Sequence, residues 1–515
     1  MVEKKRIAIN TILLYFRMVL IMGVTLYTSR IVLKVLGAAD YGLYNVVGGV
    51  VSMFSFLNGS LSSGTSRFIT YDLGTGDKIR LRQTFNIAFV SHTILAAVIF
   101  LLTETIGLWF VNNKLVFDAS RRVAVNVVYQ FSVLTLILQL TQVPFSADII
   151  AHEKMNIYAY VSILEVALKL GMAFLLQLNK SIDNLIFYSI VMFFVQLIII
   201  GIYRFYCISH FEETHFELCK DKKRYKEIFS FSGWDIIGAF CVLSQGQGIN
   251  ILLNMFFGPV VNAARAITYQ LEGAFSQLSN NFMTAVNPQI VKSFALKQYD
   301  EMLDLIKDAS KFGFFLLSVF LIPILFKMEF ALQLWLKEVP PQTSIFARII
   351  LCMLMIRVIA RPVINGAHAT GRIKRLNLIA GLVGLLPLPV TYILFKLDFP
   401  AVCAFFSLFV WGVIANFLET FIFKLEMNEF KIRRYFLSVY GRCFIVGIVS
   451  IITNFFLAKY IDGNFFVFIL YYGFAVIINS FIIFVFGFDK NNKKKLIYFV
   501  KGKIYAKKNT RKDSF

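Results

Sequence analysis

Four arginines fall inside stretches of this sequence that are otherwise apolar: Arg17, Arg265, Arg357 and Arg361. A charged side chain at the centre of a bilayer costs about 2.5–3.5 kcal/mol on insertion scales, so such residues mark either a function or a partner. Arg357 and Arg361 are four apart and share one helical face. Glu165 and Lys169 have the same spacing, and read first as a neutralising ion pair. The arginines outnumber the acids Asp235 and Glu272 at comparable depth. A guanidinium fork grips phosphate bidentately and stays protonated. The pattern predicts a cavity for an anionic, phosphate-bearing substrate.

Polar residues surround these charges at helical spacing. Asn262, Arg265, Tyr269, Glu272, Ser276 and Ser279 recur at steps of three and four, so all six lie on one face. Ser244, Gln247, Asn250 and Asn254 form a second stripe, and Asn45, Ser52, Ser55, Gly59 and Ser62 a third. One polar stripe on a membrane helix is usually interhelical glue. Three stripes point to the wall of a wet cavity. The expected substrate-binding residues are Arg17, Asn250, Arg265, Tyr269, Glu272, Arg357 and Arg361.

Catalytic chemistry finds no comparable pattern. There is no Walker loop, no HExxH and no nucleophile elbow, and the five histidines are scattered. Asp40, before Tyr41 and Gly42, reads as a helix cap at the membrane edge. The six cysteines form no CxxC and no metal spacing, and read as small packing residues. No enzyme activity, cofactor or metal is expected.

The elements that position these residues are membrane helices. The chain is 58% hydrophobic and 16% charged over 515 residues, against about 45–50% and 25% for globular domains. Its mean hydropathy is +0.70. Apolar runs long enough to cross a bilayer, about 20 residues each, occur fourteen times. They include Ile9–Thr28, Tyr41–Leu61, Tyr158–Leu178, Phe229–Phe257, Ala264–Val286 and Ile345–Ala367 as the first, second, fifth, seventh, eighth and tenth. With the amino terminus in the cytoplasm, 34 of the 52 Lys and Arg fall in cytoplasmic segments, as the positive-inside rule requires. Ten of them lie in the tail from Asp489 to Phe515. The net charge of +22 is thus read as topology and contact with anionic lipid headgroups, and not as nucleic-acid binding.

A weak internal repeat organises the spans. VLKVLGAADYGLYNVVGG from Val32 aligns with ILLNMFFGPVVNAARAIT from Ile251 so that Gly37 meets Gly258, 221 positions on. Pro144 similarly meets Pro362, 218 positions on. Six helices separate the copies, so they run parallel. The expected fold is all-α integral membrane with about 14 helices: an N-lobe (1–206), a cytoplasmic linker (207–228), a C-lobe (229–424), a terminal pair (425–488) and a basic tail (489–515). Two such lobes enclose a cavity and rock to give alternating access.

The stretch SRIVLKVLGAADYGLYNVVGGVVSMFSFLNGSLSSGTSRFI from Ser29 resembles the amino-terminal signature of bacterial polysaccharide-transport proteins. These are the oligosaccharide flippases of the multidrug/oligosaccharidyl-lipid/polysaccharide exporter superfamily. GPVVNAARAITYQLEGAFSQLSNNFMTAVNPQIVKSFA from Gly258 and PFSADIIAHEKMN from Pro144 fit the same family. The resemblance implies a flippase for undecaprenyl-pyrophosphate-linked repeat units of O-antigen, capsule or exopolysaccharide, in the bacterial inner membrane with both termini cytoplasmic. It implies membrane lipids, polysaccharide polymerase and glycosyltransferases as partners. In related lipid II flippases, arginines of helices one, two and eight line the cavity, which by position implies Arg17 and Arg265 here. Helix two departs from that pattern, because its one arginine, Arg67, lies at the cytoplasmic edge. A cation-coupled drug antiporter of the same superfamily is the alternative. A polymerase would carry a large outer loop that this chain lacks, and a scaffold would not need arginine-lined polar faces.

Overall fold

The computed structural model describes residues 2–55, 65, 68–73, 76–152, 154–217, 219, 222–370, 374–460, 464–489 and 493. Of these, the side chains of residues 2–19, 155, 156, 158, 159, 222–239, 284, 285 and 288 are not described. Arg67, Gly59 and Ser62 therefore lie outside the described residues, as do the side chains of Arg17 and Asp235 and nearly all of the basic tail.

Every regular element among the described residues is helical. In hydrocarbon no water satisfies a backbone amide, and a helix closes its hydrogen bonds within the segment. Twelve described helices are long and apolar enough to cross a membrane. The difference from fourteen has two causes. The first two spans appear as one helix, Val2–Met53, broken only at Gly37, whose φ of 75° is left-handed. The eighth span lies within the helix Pro259–Ala295, whose polar face keeps it off the apolar count.

The break at Gly37 has a counterpart. Gly258, its repeat partner, also has positive φ, at 79°, and separates the helices Lys222–Phe257 and Pro259–Ala295. A residue without Cβ adopts this conformation without strain. The other aligned pair, Pro144 and Pro362, lies inside the helices Arg122–Ala151 and Thr343–Thr370. Gly37 and Gly258 thus share a left-handed backbone, and Pro144 and Pro362 each lie within a helix.

The helix Phe465–Ile482 shows what solvent these elements meet. It buries Tyr471, Ala475, Asn479 and Ile482, while Phe466, Leu470, Ile477 and Phe481 are each at least 66% exposed. Its outward face is the more apolar one, as lipid contact demands. Its inward Asn479 accepts a hydrogen bond from Asn454 at 2.9 Å, a polar link between the last two long helices.

By contact, the chain forms two compact units. The first comprises Met1–Leu271, Leu332–Ala347 and Asn377–Trp411, and the second Glu272–Ala331, Arg348–Leu376 and Gly412–Phe515. In the first, Arg121 binds Asp183 at 2.5 Å and also Asp40. Asp183 meanwhile caps the helix Asn184–His210 through the amides of Leu185 and Ile186. Asp40 is spent on this clamp between chain segments. In the second unit, Tyr435 is buried and donates to Ser310 Oγ at 2.8 Å.

Candidate functional site

In the first unit, Arg265 lies in the helix Pro259–Ala295 and is 8% exposed. Its guanidinium donates to the Gly246 carbonyl at 2.7 Å and lies 4.3 Å from the centre of the Tyr269 ring. One turn separates Arg265 from Tyr269, which is why the cation reaches the ring face. Its Nε is buried with no hydrogen-bond partner. The two residues expected to act together are therefore in contact, with one donor of the fork left over.

Asn250 is 1% exposed. Its carbonyl groups, main-chain and side-chain, both accept from Asn262 Nδ2, at 2.7 and 2.8 Å, and its own amide reaches the Asn45 carbonyl. Asn254 pairs with both the amide and the carbonyl of Val116. This stripe thus serves helix and loop packing, the role of glue. The stripe after Gly37 differs. Ser52 joins Tyr44, Gln139, Lys169, Ser189 and Gln196 around a cavity of 240 Å³. Lys169, on its wall, is bound to Glu165 at 2.5 Å, so the expected ion pair is present.

In the second unit, Arg357 and Arg361 are exposed in the helix Thr343–Thr370, which is long and apolar enough to cross a membrane. Glu272 feels the charge of both, and Glu419 feels that of Arg357. Two cations and two carboxylates therefore gather in one unit. Glu419 is not legible from the sequence as part of this group. It comes from the helix Val402–Glu426, and nothing in its local spacing points to Arg357. Arg17 belongs to the helix Val2–Met53, with its side chain outside the described residues.

No protein-family model matches the sequence, and no curated protein sequence does. Solved structures do match. The lipid II flippase MurJ in an inward closed conformation superposes with a TM-score of 0.69 at 13% identity, over 92% of this chain and 99% of that one. An inward-facing multidrug resistance MATE family transporter of the MOP superfamily gives 0.65 at 12%, over 80% and 95%. A point mutant of the Vibrio cholerae MATE transporter VcmN gives 0.57 at 13%, over 85% and 100%. At these identities the likeness defines the fold. The chain is a multi-pass membrane protein with the helical fold of MurJ and the MATE transporters.

Proposed function

We propose that the protein is a flippase for undecaprenyl-pyrophosphate-linked oligosaccharide repeat units of O-antigen, capsule or exopolysaccharide. It acts in the bacterial inner membrane by alternating access, with both termini in the cytoplasm. The observation that carries this reading is the pair Arg357 and Arg361, exposed side by side on an apolar helix. Two forks one turn apart suit a pyrophosphate, which has more acceptor oxygens than one guanidinium can bind. The lipid tail stays in the bilayer while the polar head crosses, so the protein has to offset only the desolvation of the head. Glu272, in the same unit as Arg357 and Arg361, is assigned to holding these two arginines in place, and in the first unit Arg17, Arg265 and Tyr269 are assigned separately to contact with an anionic substrate. The likeness to a lipid II flippase supports a lipid-linked substrate. Membrane lipids and the polymerase and glycosyltransferases of the pathway are the expected partners.

The test is surface polysaccharide in a strain lacking its own flippase. Arg357→Gln with Arg361→Gln should abolish export while the protein accumulates normally in the membrane. Export at the parental rate from that variant would overturn the reading.

A second reading, a cation-coupled antiporter, is favoured by one observation. Glu272 and Glu419 are acids within membrane helices, set against arginines. Uptake of a dye by inverted vesicles, driven by an imposed ion gradient, distinguishes it from the flippase.

A further inference from the structure

We propose that Asp148, His152 and Glu213 form a binding site for a divalent first-row metal ion of the zinc class. One nitrogen and two carboxylate oxygens, each from a different residue, lie within 4.8 Å of one another. His152 Nε2 is 2.6 Å from Glu213 Oε1 and 3.8 Å from Asp148 Oδ1. An imidazole with two carboxylates is a common donor set for Zn²⁺. Zinc bound at about 2.0–2.2 Å from each ligand needs ligand atoms about 3–4 Å apart, so His152 and Asp148 already stand at a suitable separation and Glu213 has to draw back slightly.

The elements hold the three groups firmly. Asp148 and His152 are one turn apart at the end of the helix Arg122–Ala151, where the His152 amide closes on the Asp148 carbonyl at 3.0 Å. The imidazole stacks on Phe211, with centroids 4.1 Å apart and planes 7° from parallel. Glu213 sits in the single turn Glu212–Thr214. That turn is fixed by Thr214 Oγ1, which donates to the carbonyls of Cys207 and Phe211.

Electrostatics calls for a cation. The Asp148 side chain is fully buried, no N–H or O–H group of the described residues donates to either of its oxygens, and its carboxyl lies within hydrogen-bond reach of Glu213. Glu213, 8% exposed at its side chain, lies close enough to repel it. Among the described residues, His152 is the sole ion-pair partner of either carboxylate. The nearby Arg204 is directed elsewhere, donating to Thr141 Oγ1 at 2.6 Å and lying over the Phe145 ring. The surroundings are apolar: Phe145, Ile149, Tyr203, Cys207 and Phe211 pack in one cluster. Two carboxyl groups facing each other in such a place need either a shared proton or a cation between them. A divalent ion supplies the balance. Bound there, it fastens the end of the helix Arg122–Ala151 to the segment that follows the helix Asn184–His210.

The test uses tag-free full-length protein in detergent, stripped with chelator and titrated with Zn²⁺, with bound metal and thermal melting both measured. The stripped protein should take up a stoichiometric amount of zinc, and its melting temperature should rise. Co²⁺ in place of zinc should give a d–d absorption band. Asp148→Asn, His152→Gln and Glu213→Gln should each lose the tight binding and the thermal shift. Asp148→Asn without metal should melt no lower than stripped wild type, because it relieves the repulsion. Failure of wild type to retain zinc, or equal retention by a D148N/E213Q variant, would overturn the proposal. So would a shared proton: no zinc bound, and a wild-type melting temperature that falls as pH rises past neutrality.

Discussion

A Cβ placed on Gly42 would lie 1.8 Å from the carbonyl oxygen of Pro259, closer than any real contact. The first helix, one turn beyond its break at Gly37, therefore runs backbone to backbone against the start of the helix after Gly258. Close approach of this kind is how membrane helices gain packing without a hydrophobic drive between them. Gly48, in the same helix, has open space where its Cβ would stand. Gly42→Ala should sharply lower the melting temperature of detergent-solubilised protein, and Gly48→Ala should leave it unchanged or raise it slightly. Equal tolerance of the two would show that the contact is not tight.

Glu165 and Lys169 are partly buried and joined at 2.5 Å. Removing one partner of such a pair strands the other charge in a partly buried place, a cost that solvent screens but does not remove. Glu165→Ala and Lys169→Ala should each destabilise the protein more than the double variant does. Melting of the three proteins closes the cycle, and additive losses would refute the coupling.

Glu419 and Arg357 interact in the second unit. Glu419→Gln should reduce polysaccharide export by leaving the arginine too strongly cationic to release its substrate. In the Glu419→Gln, Arg357→Gln double variant, the loss should be smaller than the product of the single losses. Export measured beside membrane protein level decides it. Strictly multiplicative losses would mean that the two side chains act separately.

Asp489 ends the described part of the last helical region and holds two cations, the buried Lys311 at 3.1 Å and Arg442. Burial alone would raise its pKa. The hydrogen bond and charge of Lys311, helped by Arg442, outweigh burial and hold the carboxyl below its ordinary value of 3.8. A group depressed on folding contributes stability above its unfolded pKa and loses it as pH falls through the folded one. Melting temperature should therefore drop on acidification below about pH 4. Asp489→Asn should be less stable at neutral pH and should show a shallower acid limb. An unchanged acid limb would mean that the clamp contributes nothing.

Much of this organisation is legible in the sequence because it is local. Apolar runs mark the helices, and Glu165 with Lys169 needs only a spacing of four. Gly37 and Gly258 are readable as a repeat, since only glycine takes the left-handed turn freely. The missed features are long-range. His152 looks isolated until Glu213, 61 positions on, folds back beside it, although its spacing of four from Asp148 is a signal in the sequence. The stripe through Asn250 cannot be assigned from periodicity, which is the same for a cavity wall and for glue. Only the partners, Asn262, Asn45 and Val116, decide between them.

The Arg121 clamp bears on the order in which the chain is made. Its carboxylates lie 81 residues before and 62 residues after the guanidinium. During synthesis Asp40 is inserted first and waits without its cation. Arg121 follows, and only then can the first half of the clamp form. Asp183 arrives last, and its capping of the helix Asn184–His210 coincides with completion of the clamp. One guanidinium thus ties together three segments that the ribosome delivers at different times.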